Sequence, residues 1–167
     1  MDKLFIETKI ITTDTGELKG LAWPFGKPDR LGDWIEPGAF KAAAFPLPML
    51  FGHDINDPVG TWQAGEEKAD GFHITGKLLV DDVARAREVK ALVGSGAVRG
   101  LSIGFMTRKA SARAGGGRII KELELFEVSL VTIPLHPGAK VTSAKSAIDA
   151  LRLVDALNRA TAHIAAR

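Results

Sequence analysis

Three polar residues lie within or at the end of apolar segments that are typical of buried strands. His53 follows Met-Leu-Phe-Gly, Ser102 lies within Gly-Leu-Ser-Ile-Gly-Phe, and Glu127 lies within Leu-Phe-Glu-Val-Ser-Leu-Val. Together, an imidazole, a hydroxyl and a carboxylate can perform acyl transfer, because the imidazole removes the hydroxyl proton and the carboxylate orients the imidazole. Each residue also has a structural interpretation: a histidine that caps a strand, a serine that faces solvent, or a glutamate in a salt bridge. The residue types alone do not bring the three side chains together.

The neighbours of these residues leave further alternatives. Asp54 and Asp57 stand close to the histidine, but this is a weak metal-site pattern because no further His or Glu follows at ligand spacing. Ser129 shares a strand face with the glutamate, as its hydrogen-bond partner or as a competing nucleophile. The Gly-x-Ser-x-Gly pattern around Ser102 matches the nucleophile motif of α/β-hydrolases. That fold is excluded, because the surrounding alternation predicts a continuous strand rather than a strand–turn–helix.

The composition predicts one globular domain of an intracellular protein. The chain has 167 residues, of which 46% are hydrophobic and 25% charged. The formal net charge of +2 excludes a polycation that coats nucleic acid. There is no cysteine, which excludes disulfides, thiolate metal sites and a cysteine nucleophile. The charged N-terminus and the lack of a long apolar segment predict neither secretion nor membrane insertion.

The charge is unevenly distributed along the chain. Residues 1–83 carry 8 basic and 14 acidic side chains, whereas residues 84–167 carry 14 basic and 6 acidic ones. Such asymmetry arises by chance or marks a partner surface. The basic segment 90–121 offers a nucleic-acid-binding hypothesis, but Phe105 is its only aromatic residue, which argues against base stacking.

Period-two alternation and turn residues predict a chain made mainly of strands. The predicted strands are residues 3–12, 18–25, 48–53, 59–64, 72–80, 98–107 and 119–133. A helix capped by Asp81 or Asp82 is expected to end at Gly94, and another is expected over residues 144–166. One or two helical turns are predicted at 36–42 and a mobile loop at 109–117. This pattern predicts the α+β class, with a mainly antiparallel barrel or sandwich.

Four sequence blocks in fixed order resemble a known family. The blocks are GDWIEPGAF at 32–40, LFGHD at 50–54 with PVG at 58–60, GLSIGF at 100–105, and EVSLVTIP at 127–134. In this order and spacing they resemble the prohead (capsid-maturation) proteases of tailed phages, a family related to the herpesvirus assemblin-type serine proteases. The resemblance implies an assemblin-like, mainly antiparallel β-barrel packed by a few α-helices in residues 1–142. Residues 143–167 would form a C-terminal helical segment for packing, docking or self-processing.

The resemblance also implies a function and its residues. It implies a serine endopeptidase with His53 as general base, Ser102 as nucleophile and Glu127 as third member, without cofactor or metal. Such an enzyme would cleave the scaffold or scaffold-like segment of the major capsid protein, and itself, inside the assembling procapsid in the host cytoplasm. It would self-associate there, with no membrane partner and no specific nucleic-acid partner. The alternative is an inactive scaffold-binding or structural member of the same fold.

One motif departs from the family pattern. Members often have Pro-Ala-Asn-Pro after the Glu-x-Ser strand, where this chain has Pro-Leu-His-Pro at 134–137. Assemblin-type relatives use a second histidine as third member, so His136 is an alternative to Glu127. We favour Glu127, because a core-strand position is better fixed than one between prolines. Arg99 and Arg108 are candidate oxyanion donors by their proximity to the Ser102 strand, as are backbone N–H groups.

Overall fold

The structure is a computed structural model that describes residues 15–143, in which a single sheet closes into a barrel. Its elements are β1 (Glu17–Pro24), β2 (Trp34–Ile35), β3 (Leu47–Phe51), β4 (Asp54–Lys68), β5 (Gly71–Leu78), α1 (Ala84–Gly94), β6 (Gly100–Ala112), β7 (Arg118–Val131) and β8 (Lys140–Ser143). The barrel strands follow the order β7-β3-β4-β5-β1-β8-β6, and β6 pairs with β7 to close the ring. The short β2 pairs with the other part of β7, outside the ring.

The strand directions confirm the mainly antiparallel β-barrel. Within the described range only the β3–β7 and β2–β7 pairs are parallel. The few packing helices are confirmed only in part, because α1 is the one helix in residues 15–143. The predicted strand at 3–12 and the C-terminal helical segment at 143–167 lie outside the described residues, apart from Ser143 in β8.

The barrel interior is filled by large apolar side chains from most strands. Trp62 of β4, Phe72 of β5, and Val128 and Leu130 of β7 are almost fully buried. The Trp62 indole N–H donates to the Val128 carbonyl at 2.8 Å, which satisfies its polar group inside the core. Because side chains alternate across a strand, the residues of β7 between these core positions face away from the barrel interior.

The helix α1 is confirmed, but its predicted cap is wrong. The N-cap position is Val83 without a side-chain cap, because Val83 N–H donates to Leu79 in a turn that carries the chain past both aspartates. At the other end, Ser95 N–H donates to Ala91 and Gly96 adopts a φ of 78°. A glycine in this left-handed conformation ends a helix at little steric cost.

Two local predictions need correction, and two short strands, β2 and β8, are absent from the prediction. Residues 36–42 form successive hydrogen-bonded turns instead of helical turns, with Ala39 N–H donating to Glu36 and Ala43 N–H to Phe40. The predicted loop at 109–117 is shorter, since β6 continues to Ala112 and only residues 113–117 form the hairpin turn. The strand β8 was not predicted, because its four residues carry too short a pattern to recognise.

Candidate active site

Three adjacent strands bring the predicted site residues to one side of the barrel wall. In the antiparallel β6–β7 pair, Ser102 is opposite Ser129 and Gly104 is opposite Glu127. In the parallel β3–β7 pair, Leu50 is opposite Ser129, so the turn that carries His53 follows directly at the end of β3. Side chains at directly paired positions lie about 5 Å apart between Cβ atoms. The sheet pairing therefore places His53, Ser102 and Glu127 around Ser129.

His53 occupies a constrained turn between β3 and β4. Phe51 pairs with Asp54, which leaves Gly52 and His53 as a two-residue hairpin turn, and both have a φ of 64°. Positive φ at both central residues is the pattern of a type I′ turn. His53 is the only non-glycine residue with positive φ in the described range. Such a conformation costs on the order of 1 kcal/mol for a residue with a side chain, and functional sites often contain one.

The imidazole of His53 binds the Glu127 carboxylate. Its Nδ1 lies 2.8 Å from Glu127 Oε1, while 45% of the histidine side chain remains exposed. The hydrogen bond to Glu127 raises the pKa of His53 above 6.5, against the opposing effect of partial burial. Because the carboxylate accepts a hydrogen bond from Nδ1–H, the Nε2 of neutral His53 keeps its lone pair and can accept a proton.

Ser129 contacts both members of this pair. Its hydroxyl donates to Glu127 Oε2 at 2.7 Å and accepts from the His53 backbone N–H at 3.0 Å. Ser129 is therefore the hydrogen-bond partner of Glu127, one of the two roles that the sequence left open.

Ser102 lies beside this network without a bond to it. The residue is buried in β6 with 7% exposure, and its hydroxyl makes no hydrogen bond to any residue in 15–143. The structure thus brings His53 and Glu127 into direct contact and brings Ser102 to the neighbouring strand position, but does not join Ser102 to His53. Hydrogen bonds of a nucleophile are often looser before substrate binds.

Gly104 provides the space that the carboxylate occupies. A Cβ atom at Gly104 would lie 2.3 Å from Glu127 Oε1, which is far inside contact distance. Gly104 shares a strand face with Ser102, so its missing side chain would leave open space beside the serine hydroxyl. The space is instead filled by the Glu127 side chain, because Gly104 and Glu127 are opposite each other in the β6–β7 register.

His136 has a separate set of partners. Its Nδ1 accepts the Gly138 N–H at 3.1 Å, and its Nε2 lies 3.1 Å from the Lys27 carbonyl. The ring also packs edge-on against Trp23, with centroids 4.8 Å apart. Both ring nitrogens of His136 therefore bind main-chain groups. The carboxylate that contacts His53 Nδ1 is that of Glu127.

Within the described residues, no hydrogen bond or ion pair joins the remaining sequence candidates to the side chains of His53, Ser102 or Glu127. Arg108 pairs with Glu124 and lies six residues along β6 from Ser102, about 20 Å at strand rise, so it is wrong as an oxyanion donor. Arg99 is exposed three residues before the serine. Asp57 pairs with Arg85 at 3.1 Å, and in residues 15–143 no group of three potential ligands could hold a metal ion.

A cleft beside Ser102 was not apparent from the sequence. It is small, with a cavity volume of about 10 Å³, and it lies between β6, β1 and the loop after β7, lined by Ala22, Trp23, Leu101, Ser102, Ile103, Phe105, Leu135 and His136. The buried Trp23 Nε1 has no hydrogen-bond partner within the described residues. The lining comes from three distant segments, so no local sequence pattern marks it.

The edge of β6 that faces this cleft is unpaired beyond Leu101 among the described strands. On that side β8 pairs with β6 only at Gly100, and Leu101 N–H donates to Ala139. Since backbone groups alternate sides along a strand, those of Ile103 and Phe105 also face this edge. Among the described strands none pairs with them there.

Comparison with known proteins identifies the family. A family model of the caudovirus prohead serine protease matches residues 5–153. The chain belongs to this family. Membership confirms the predicted resemblance and the predicted class of serine protease. None of the described helices is long and apolar enough to cross a membrane.

Two curated phage proteins illustrate the match. The prohead protease of Enterobacteria phage HK97 is 34% identical over 152 residues, which cover 85% of this chain and 67% of that protein. The capsid polyprotein of Pseudomonas phage PAJU2 is 32% identical over 149 residues, covering 84% of this chain. The match spans only 22% of the polyprotein, so this chain corresponds to one part of it.

A solved herpesvirus structure supports the fold assignment. The KSHV protease in complex with a hexapeptide phosphonate inhibitor superposes with a TM-score of 0.52 at 17% identity, covering 75% of this chain and 63% of that chain. At this identity the similarity concerns the fold, and it agrees with the expected assemblin-like barrel.

Proposed function

We propose that the chain is a serine endopeptidase in which Ser102 is the nucleophile, His53 the general base and Glu127 the residue that orients His53. The observation that carries the proposal is the 2.8 Å contact between His53 and Glu127, directly beside the strand position of Ser102. A carboxylate on Nδ1 fixes the imidazole tautomer and stabilises the imidazolium that forms during acyl transfer. The raised pKa of His53 has the same origin.

The proton and bond changes follow from this arrangement. His53 Nε2 takes the Ser102 hydroxyl proton while Oγ attacks the scissile carbonyl carbon. His53 then gives the proton to the departing amine as the C–N bond breaks, which leaves an acyl-enzyme. Water attacks the ester after losing a proton to the same nitrogen, and Ser102 recovers its proton as the carboxylic acid product leaves. Glu127 remains a carboxylate throughout.

The unpaired edge of β6 supports binding of an extended peptide. The backbone groups of Ile103 and Phe105 can pair with a substrate strand, which is a common mode of peptide recognition. A peptide bound at this edge runs alongside Ser102.

The substrate we propose is the scaffold or scaffold-like segment of the major capsid protein, together with a segment of the protease itself. The names of the relatives, a prohead protease and a capsid polyprotein, support a role in capsid maturation. The reaction would take place inside the assembling procapsid in the host cytoplasm, where the protease would self-associate.

Two of the basic residues in segment 90–121 form ion pairs, Arg108 with Glu124 and Arg118 with Asp33, which weakens the nucleic-acid hypothesis.

Co-expression with the major capsid protein of the same phage tests this function. Wild type is expected to yield truncated capsid protein and cleaved protease by intact-mass spectrometry, whereas Ser102→Ala should lower cleavage by more than about 10³-fold. Ser111→Ala is the matched control, since this serine lies exposed near the far end of β6. Cleavage retained in Ser102→Ala would contradict the assignment. An intact capsid protein beside the wild-type protease would favour the inactive structural member of the fold.

A further inference from the structure

We propose that Ser129 is a positioning residue that holds the Glu127 carboxylate and the His53 main chain in their working arrangement. The inference rests on the proposed function, because it concerns the same site. Three hydrogen bonds form a closed ring: Ser129 Oγ–H to Glu127 Oε2 at 2.7 Å, His53 N–H to Ser129 Oγ at 3.0 Å, and His53 Nδ1–H to Glu127 Oε1 at 2.8 Å.

The geometry does not suit Ser129 as the nucleophile. Its single hydroxyl hydrogen is donated to a carboxylate, and its lone pair accepts a backbone N–H. The residue has 0% exposure, so a substrate carbonyl cannot approach the oxygen. Ser102, on the paired strand, keeps a hydroxyl without a hydrogen-bond partner in residues 15–143. Ser129 therefore positions Glu127, and Ser102 is the serine that attacks the substrate.

The ring of hydrogen bonds restricts two motions: rotation of the Glu127 carboxylate and movement of the turn that carries His53. A glutamate side chain can rotate about its last bond, and binding of Oε2 by Ser129 leaves Oε1 directed at His53. His53 also occupies a strained positive φ, and the bond from its N–H fixes this turn to β7. A second bond anchors the same turn, since Gly52 N–H donates to the Leu130 carbonyl at 3.0 Å. The hairpin therefore remains attached to β7 when Ser129 is removed, and the main loss is the control of Glu127.

The pKa of His53 reports on this control without any need for activity. Glu127 is the only charged group in the described part of the chain that contributes to the raised pKa, and burial acts against it. The experiment is an NMR titration of His53 in the Ser102→Ala protein, with and without Ser129→Ala. We expect Ser129→Ala to lower the pKa of His53, because a carboxylate that rotates away stabilises the imidazolium less.

Kinetics on the otherwise wild-type enzyme provides the second readout. Ser129→Ala is expected to lower kcat about 10- to 100-fold with a smaller effect on KM, as expected for loss of a hydrogen bond to a charged group. The acid limb of the kcat/KM profile should move to lower pH together with the pKa of His53. Trp62→Phe is the matched control: it removes a buried hydrogen bond to β7 at Val128 and should destabilise the barrel without moving the acid limb.

The outcomes are distinguishable from failure of the proposed function. An unchanged pKa of His53 and an unchanged acid limb in Ser129→Ala would overturn the positioning role while leaving a Ser102-dependent enzyme intact. Equal shifts in Ser129→Ala and Trp62→Phe would also overturn it, since they would mark general destabilisation. If Ser129→Ala does not fold, the same titration is made with Ser129→Cys, whose thiol fills the site but is a weak donor.

Discussion

His53 and His136 are histidines of one barrel with opposite environments. His53 is half exposed at a hairpin turn and binds a carboxylate, which raises its pKa. His136 has 4% exposure in the loop after β7 and binds only main-chain groups, and burial lowers its pKa. The environment of each ring therefore sets the direction of its pKa shift: a carboxylate partner raises the pKa of His53, and burial lowers that of His136.

Burial lowers the pKa of His136, and the hydrogen bond that its Nδ1 accepts from Gly138 also favours the neutral ring. Gly138 N–H donates to its Nδ1, so this nitrogen carries no proton, and its Nε2–H is donated to Lys27. Protonation of Nδ1 would place its N–H against the Gly138 N–H, so that two donors would face each other in a buried site. A second histidine close to a catalytic serine is thus not sufficient to identify a triad member, since each ring nitrogen needs a suitable partner.

The largest expected effect comes from substituting, one at a time, the two candidates for the third member of the catalytic triad. Glu127→Gln should lower kcat/KM by about 10²- to 10⁴-fold, because a neutral amide stabilises the imidazolium poorly and can favour the wrong tautomer. His136→Asn should lower kcat by less than about tenfold and act mainly on KM and stability, because its ring lines the cleft and packs on Trp23. Steady-state kinetics with a peptide substrate, alongside thermal unfolding, measures both. A larger loss of kcat in His136→Asn than in Glu127→Gln would reverse the comparison.

A smaller effect is expected in the pH dependence of the free energy of unfolding. The folded pKa of His136 is lowered, so the unfolded state binds more protons below the unperturbed value near 6.5, and this group destabilises the fold as pH falls. The folded pKa of His53 is raised, so its stabilising contribution is present below 6.5 and is lost as pH rises through the folded pKa. Urea unfolding between pH 5 and 8 should therefore show a shallower acid decline in His136→Asn and a steeper one in His53→Asn. The same change of slope in both variants would contradict the opposite signs.

The sequence predicts the strands of the site better than their contacts. Alternation and turn residues locate β3, β6 and β7, and they place Ser102 inside a strand instead of at a nucleophile elbow, as the structure confirms. The meeting of β3 with β7 depends on barrel closure between segments far apart in the chain, and a single sequence carries no direct signal of that pairing. The register of β6 with β7 likewise determines that Gly104 makes room for Glu127.

Two of the wrong predictions share a physical reason. The helical turns at 36–42 and the loop at 109–117 follow from local propensity, and tertiary contacts override both, since Glu67 accepts the Phe40 N–H at 2.9 Å and β7 pairs with β6 as far as Ala112. The long β6–β7 hairpin shows this, since ladder pairing extends through small residues as far as Ala112 and Arg118. The burial of His136 against Trp23 likewise joins segments more than a hundred residues apart.

The reactivity of Ser102 is measured directly with a fluorophosphonate probe, in which the serine oxygen displaces fluoride from phosphorus. Intact-mass spectrometry and peptide mapping should find one phosphonyl group on Ser102 of the wild-type protein. Labelling should be absent in Ser102→Ala and strongly slowed in His53→Asn, since the base is required to remove the hydroxyl proton. A phosphonyl group on Ser129, or undiminished labelling of Ser102→Ala, would contradict the assignment of Ser102 as the activated nucleophile.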